Sequence, residues 1–504
     1  MPRIPARPRS RPPSRLRRNG RAPTLPALLA LLPALLLAAC ATPGDSASHA
    51  TLTDAQPLAR QLSQGKAPWP QDRWWAALGD AQLDRLIDMA LADSPSLHVA
   101  EARLAKARAL ADSADARRFA DVSLNAQASR QRYTANGMIP PPVAGTVRES
   151  GQLTLDFAYD FDFWGRNRQY IAAAVSQTRA AEAERESARQ VLIAAVVDAW
   201  SQLNRSYRLL DIADAQVKQR ERQQALIQQL LAAGLSPRGE ANSARSTAAS
   251  ARQERLALRE QLALQRHQLA ALLGRGPDFA ATLPRPQLQA QADDGVPTVL
   301  PADLLGRRPD LVAARWRVEA ARGNVGAARA EFYPNVNLTA FTGYSSIGLG
   351  QLLKSGSGIA GIGPALNLPL FDGGRRRANL GDANADLDLA IEQYNQSLLD
   401  AVRDVADQVA SLNALAAQAQ EARLALVQAG SARTLAQTRF TAGLASELTT
   451  LASDDVWLAR QRTLTDIDTR RLTARIALIK ALGGGYDAAP QTHTQEGAPV
   501  SAAQ

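Results

Sequence analysis

Residues 152–163 read QLTLDFAYDFDF, and they alternate without a break. Leu153, Leu155, Phe157, Tyr159, Phe161 and Phe163 fall on one side of an extended chain, and Gln152, Thr154, Asp156, Asp160 and Asp162 on the other, because successive strand side chains point to opposite faces. VSLNAQAS at 122–129 behaves alike, with Val122, Leu124, Ala126 and Ala128 against Ser123, Asn125, Gln127 and Ser129. A sheet half-buried on a soluble core alternates in the same way. Two features favour lipid on the apolar side. Strands of about 10 to 12 residues have the length to cross a bilayer at a tilt. The apolar side of 152–163 also ends in aromatic residues, like an interfacial girdle.

The rest of the chain repeats this plan. SPSLHVAEARLAKARALADSADARRFADVSLNA from Ser94 aligns without gaps with RPDLVAARWRVEAARGNVGAARAEFYPNVNLTA from Arg308. Identities include Pro95/Pro309, Leu97/Leu311, Arg103/Arg317, Arg108/Arg322, Val122/Val336 and Leu124/Leu338. A later ungapped match pairs Gly165/Gly374, Asp198/Asp407, Asn204/Asn413, Ala233-Gly234-Leu235 with Ala442-Gly443-Leu444, and Leu273-Gly274 with Leu482-Gly483. The spacing places a lead-in helix within 40–94, a first repeat over 95–275 with strands about 121–133 and 151–163, a linker over 276–308, a second repeat over 309–485 with strands about 335–345 and 358–371, and a disordered tail over 486–504. The second strand pair is the weaker one. VNLTAFTGY at 336–344 loses its alternation after Ala340, and Pro364 and Pro369 interrupt IGPALNLPLF.

Between strands and linker, each repeat carries a long run rich in alanine, glutamine and arginine, about 166–232 and 375–440. At 1.5 Å per residue these are helices of about 100 Å. A Gly-Leu break follows in each, then a return helix ending at Gly274 or at Gly483–Gly485. Such helices pack as antiparallel pairs in coiled-coil fashion. Asp198 and Asp407 occupy equivalent positions and suit hydrogen bonds between helices better than a place on an open lumen.

Charge and cysteine content narrow the function classes. Eight of the ten net positive charges are arginines within residues 1–39, so the remainder offers no basic patch for nucleic acid. His49, His98, His267 and His493 are scattered, and no spacing points to a metal ligand set. No Ser/His/Asp or Cys/His arrangement, phosphate loop or metal cluster emerges, so the sequence reads as a non-enzyme without a cofactor. Residues 1–39 read as an export signal: arginines 3 to 21, then TLPALLALLPALLLAA at 24–39, too short and proline-broken for a spanning helix. LAAC at 37–40 resembles the lipobox of bacterial lipoproteins, which makes Cys40, the sole cysteine, the new N-terminus and the carrier of a diacylglyceryl and an N-acyl group. Ala41 follows in place of the aspartate that retains such proteins in the inner membrane, which points to the outer one.

Two strand pairs give four strands per chain, and four cannot close. An open edge cannot face lipid, because its backbone groups would go unsatisfied. Two chains would give a barrel filled by its own side chains, whereas three give twelve strands and room for a lumen. The expected fold is therefore membrane α+β, a trimeric 12-stranded β-barrel continuous with a long periplasmic α-helical barrel, each chain carrying an internal two-fold repeat.

At this point the chain resembles a known family, the outer-membrane factors of tripartite efflux systems (the TolC and OprM type), and most closely their NodT-like lipoprotein subgroup. The resemblance lies in WPQDRWWAALGDAQLDRLIDMALADSPSL (69–97), LLGRRPDLVAARWRVEAARGNVGAARAEFYPNVNLTA (304–340), PLFDGGRRRANL (369–380) and RFTAGLASELTTLASDDVWLARQRTL (439–464). It implies an outer-membrane, lipid-anchored homotrimer reaching into the periplasm, an exit duct that conducts passively what an inner-membrane pump and a periplasmic adaptor deliver. It also implies a periplasmic gate near the helix turns. Leu448 matches the family's apolar gate position, while Ala452 stands where an aspartate is expected. Asp454 and Asp455 lie off that register and either solvate a helix face or form an acidic constriction. Gly234-Leu235 and Gly443-Leu444 are turns, and by resemblance also the adaptor-docking tips. Three rivals remain in view: a non-pore structural lipoprotein, a periplasmic adaptor, which would need one hairpin between compact β-domains, and a duct for protein secretion. The transported substrate is not written in the chain.

Overall fold

The computed structural model describes residues 47–53, 69–288, 304–368 and 370–487. Residues 1–46 with Cys40 and the leader, 54–68, 289–303 of the linker, Pro369 and the tail beyond 487 lie outside the described residues.

The chain opens with α1 (Ala81–Asp93) and α2 (Pro95–Asp115), then β1 (Asp121–Arg132) and β2 (Val147–Phe161). Next come the long α3 (Arg166–Ala232) and its return helix α4 (Arg238–Leu272). The second half runs α5 (Pro309–Ala330), β3 (Asn335–Ile347), β4 (Gly358–Asn367), α6 (Arg375–Thr441) and α7 (Glu447–Ala481). Helices α3 and α6 both have 67 residues, and α4 and α7 both have 35. Among the described residues no helix is long and apolar enough to cross a membrane.

Both long helices start by one local device. Asp162 accepts from the N–H groups of Asn167 at 3.0 Å and Arg168 at 2.9 Å, and Asp372 accepts from those of Gly374 at 3.1 Å and Arg376 at 3.3 Å. Each carboxylate thus satisfies orphan donors of a first helical turn and offsets arginines that the helix dipole disfavours there. Beside α3 lie α2 toward its start, through Leu104, Ala107 and Ala181, and α4 toward its end. Helix α5 packs on α6 through Leu311, Val318 and Val325 against Leu380, Leu387 and Ile391. The largest cluster sits at mid-height, where Trp75, Leu83 and Ile87 meet Ile193, Trp200 and Leu203 of α3. Asp80 holds that joint: it caps Gln82 N, accepts from Trp200 Nε1 at 2.9 Å and accepts from Gln287 N at 2.8 Å.

At the same level the two return helices end against backbone. A Cβ on Gly274 would stand 2.3 Å from the Asp93 carbonyl oxygen, and one on Gly483 would stand 1.9 Å from that of Arg307. Both glycines have positive φ, 69° and 93°.

The four strands form one antiparallel sheet in the order β1-β2-β3-β4, leaving β1 and β4 as edges. The register puts Val122 beside Phe157, Leu124 beside Leu155 and Ala126 beside Leu153. It then sets Phe157 beside Ala340, Tyr159 beside Leu338 and Phe161 beside Val336, and carries these on to Ile362, Pro364 and Leu366. One apolar face therefore crosses all four strands. The opposite face carries Ser123, Asn125, Thr154, Asp156, Asp160, Asn335 and Asn337.

Four strand boundaries differ from the sequence expectation by two residues or more, one of them the end of β2, which stops at Phe161 rather than 163. Strand β2 begins at Val147, not 151, because Arg130, Gln131 and Arg132 pair with Glu149, Arg148 and Val147 through charged residues that hide the alternation. Strand β3 runs on to Ile347, past the expected 345, where Ile347 pairs with Ser150. Strand β4 ends at Asn367, short of 371. The lost phase after Ala340 is chemical rather than geometric. Pairing continues one to one, with Thr342 and Tyr344 on the apolar face and Phe341 on the other, its ring over Gly361. Pro364 lies in an edge strand, where it can leave the ladder unpaired on its open side.

Candidate functional site

Three regions set what the molecule can do: the sheet, the helix tips and the contact between the two hairpins.

The apolar sheet face is open. Leu124 is 69% exposed and Ile362 78%, and Val122, Leu155, Tyr344 and Leu366 are exposed beside them. On the opposite, polar face Thr154 is only 3% exposed. So extended an exposed apolar patch marks a surface that meets lipid or protein. Aromatic side chains gather at the helix end of the sheet. Trp164 stacks on Tyr333 with ring centroids 4.7 Å apart, and Tyr159, Phe161 and Phe163 form a contiguous row.

At the far end, both helix turns have one geometry. Gly234 and Gly443 each have φ 73°. Leu235 N donates to the Leu230 carbonyl at 2.8 Å, and Leu444 N donates to that of Arg439 at 2.8 Å. These bonds close the helix ends as a left-handed C′ residue does. The two leucines that follow project outward, 75% and 78% exposed.

Within one chain the sequence-derived gate residues face different partners. Leu448 packs on Ile227, Ala241 and Ala244, inside the chain's own helices. Asp454 pairs with Arg433 of α6, whose guanidinium lies 4.4 Å over the Trp457 ring. Asp455 reaches the other hairpin and pairs with Arg220 of α3 at 2.6 Å. Burial pushes the Asp455 carboxyl above the usual carboxylate range, against the pull of Arg220.

Two further residue pairs complete this contact, and sequence reasoning missed them. Arg222 of α3 binds Glu447 of α7 with two bonds, 2.6 and 2.8 Å. Gln219 Nε2 donates to the Leu451 carbonyl at 2.8 Å. The Arg222 hydrogen bond holds the Glu447 carboxyl below the carboxylate range, burial opposing it. Higher up, Arg205 pairs with Asp466 at 2.8 Å, Arg462 pairs with Glu254, and Thr473 Oγ1 donates to Asp198 at 2.8 Å, which makes Asp198 an interhelical acceptor. Tip and shaft are thus tied from α3 or α4 to α7 by side chains, mostly charged, that can be exchanged for water.

Comparison with known proteins gives this arrangement a context. A family model described as outer membrane efflux protein matches residues 86–275 and again 300–484. The multidrug resistance outer membrane protein MdtP of Escherichia coli K12 is 35% identical over 457 residues, covering 88% of this chain and 93% of MdtP. The fusaric acid resistance protein FusA of Burkholderia cepacia is 35% identical over 366 residues, covering 71% of this chain and 69% of FusA. Among solved structures, the outer membrane protein VceC of Vibrio cholerae superposes with a TM-score of 0.76 at 40% identity, covering 83% of this chain and all of VceC. The long helices joined to a β-sheet wall are the architecture of outer-membrane efflux channels. The chain belongs to the outer membrane efflux protein family and is an outer-membrane exit duct for efflux.

Proposed function

We propose that three copies close their sheets into one twelve-stranded barrel, with the apolar faces to lipid and the polar faces lining the duct. The observation that carries this is the pair of unpaired edges, β1 and β4, flanking an exposed apolar face that crosses four strands. In hydrocarbon such edges demand partners, and two further copies supply them while leaving a lumen. The equal helix lengths and the two family-model matches support a duplicated unit, whose six hairpins per trimer continue the barrel as a periplasmic tube.

The tube ends at the tips, where Gly234-Leu235 and Gly443-Leu444 present apolar contacts to a periplasmic adaptor that links the duct to an inner-membrane pump. The ties between α3 and α7 hold the periplasmic mouth closed, with Asp455 inside that latch and Leu448 and Asp454 supporting it from within one chain. Cys40 carries the lipid anchor, beyond the described residues. The names of MdtP and FusA support small toxic molecules as cargo over secreted proteins, and the family sets aside the adaptor and the pore-free lipoprotein.

Purified from outer membranes in detergent, the protein should have the mass of three chains by light scattering and give stepwise single-channel currents in planar bilayers. A monomer that stays soluble without detergent after delipidation contradicts the reading.

A further inference from the structure

Residues 47–53 run as an extended arm along α6. Ser48, Ala50 and Leu52 turn inward while the residues between them are exposed. Ala50 and Leu52 pack on the cluster containing Leu387, Ile391 and Tyr394. Two residues of α6, seven apart and so on one helix face, grip the arm's backbone. Asp388 accepts from Ser48 Oγ at 2.6 Å, His49 N at 3.0 Å and Ala50 N at 2.9 Å. Asn395 accepts from Thr53 N at 2.8 Å and donates to the Thr51 carbonyl at 2.9 Å, as a neighbouring strand would. Asn395 is 8% exposed, so losing the arm would strip a buried amide of those partners. The Ser48 hydroxyl and the Ala50 amide hold the Asp388 carboxyl below its ordinary range, consistent with a carboxylate that is gripped.

The arm runs in the direction of α6, so its start points toward the sheet. Asp388 lies thirteen residues into the helix, roughly 20 Å from its beginning. Cys40 precedes Ser48 by eight residues, enough chain for roughly 26–29 Å when extended. While the arm stays gripped, Cys40 can reach the rim of the sheet with a few ångströms to spare.

We propose that Asp388 and Asn395 form a clasp that sets where the lipid on Cys40 enters the bilayer. The held arm delivers the acyl chains to the periplasmic leaflet of the outer membrane beside the barrel that its own chain helps to build. This rests on the reading of Cys40 as lipidated and of the sheet as a barrel wall. Both clasp residues are positioning residues: neither touches the lipid.

The test is the Asp388→Ala/Asn395→Ala double variant in two full-length backgrounds, one with Cys40 and one with Cys40→Ser behind a cleavable non-lipoprotein signal peptide. Hydrogen exchange at the amides of His49, Ala50 and Thr53 should accelerate about tenfold or more in both. Formation of outer-membrane trimers, followed by pulse-chase, should slow severalfold only in the Cys40 background. Equal slowing in both backgrounds reduces the clasp to helix packing and overturns the proposal, as does unchanged exchange or unchanged assembly in both. Asp388→Asn, which keeps a carbonyl acceptor, should restore part of the assembly rate, so a general folding defect is distinguishable. Mass spectrometry of the mature N-terminal peptide from the parent chain tests the underlying reading separately. A peptide without acyl groups overturns the lipidation and the proposal with it, and a parent that never trimerises overturns the barrel.

Discussion

Replacing Gly483 by alanine should cost several kcal/mol, at the severe end of single substitutions. Two effects add. The residue sits at φ 93°, where an L side chain costs roughly 1–2 kcal/mol. The new Cβ would also stand 1.9 Å from the Arg307 carbonyl oxygen and 2.7 Å from its carbon, both backbone atoms that cannot swing aside. Arg307 ends a short helix (Leu304–Arg307) and Arg308 is the N-cap of α5; Arg308 also reaches the Ala481 carbonyl and pairs with Asp310 and Asp404, so the clash lands on a joint linking α5, α6 and α7. Gly443→Ala is the matched control. Its φ is 73°, yet nothing lies within 4 Å of the added Cβ, so only the backbone strain remains. Thermal unfolding followed by circular dichroism in detergent should place Gly483→Ala well below Gly443→Ala. Equal losses would mean that the close approach to Arg307 does not exist. Gly274→Ala, facing the Asp93 carbonyl at 2.3 Å, should fall with Gly483→Ala.

The second large effect is on conductance. Gln219→Ala combined with Arg220→Ala and Arg222→Ala should turn a mostly closed duct into a mostly open one. The exposed Arg222–Glu447 pair contributes least, because water and salt screen it. Arg220–Asp455 and the buried Gln219–Leu451 bond contribute more, about 1–3 kcal/mol each as hydrogen bonds shielded from solvent. Every 1.4 kcal/mol lost from the closed arrangement raises the open-to-closed ratio about tenfold, so that ratio in planar bilayers should rise by roughly one and a half to four orders of magnitude. Acidification should reproduce part of this on the parent protein. Asp455, with its carboxyl raised, takes up a proton first as pH falls and releases Arg220. Glu447, with its carboxyl depressed, keeps its charge until the pH falls below the ordinary carboxylate range, and its tie to Arg222 is present above that point. A triple variant with parental open probability would show that these ties do not close the mouth.

Local patterns make much of the fold legible in the sequence. Alternation in QLTLDFAYDFDF identifies a strand because its period is set by the backbone alone, and the Gly-Leu breaks mark reversals because a left-handed turn residue follows from helix closure. The internal match of 94–126 with 308–340 extends both readings to the weaker second half. Strand ends are harder to read, since Arg148 and Glu149 pair in β2 without an apolar signal. The functional contacts are hardest. Arg222 and Glu447 lie 225 residues apart, as Asp80 and Trp200 lie 120 apart, and no local spacing tells which of many arginines meets which acid. Asp454 and Asp455 look equivalent as neighbours in sequence. One turns inward to its own hairpin and the other crosses to the next, because adjacent helical residues point about 100° apart.

Closure of the sheet by neighbouring copies is what makes the duct. Cysteines placed singly along β1, from Ser123 to Ser129, and along β4, from Ile359 to Ala365, can be combined two per chain and oxidised in intact outer membranes. Pairs in the correct register should link β1 of one chain to β4 of the next, and the ladder should stop at a covalent trimer. No linkage at any register, or a ladder ending at two chains or running on past three, would contradict it.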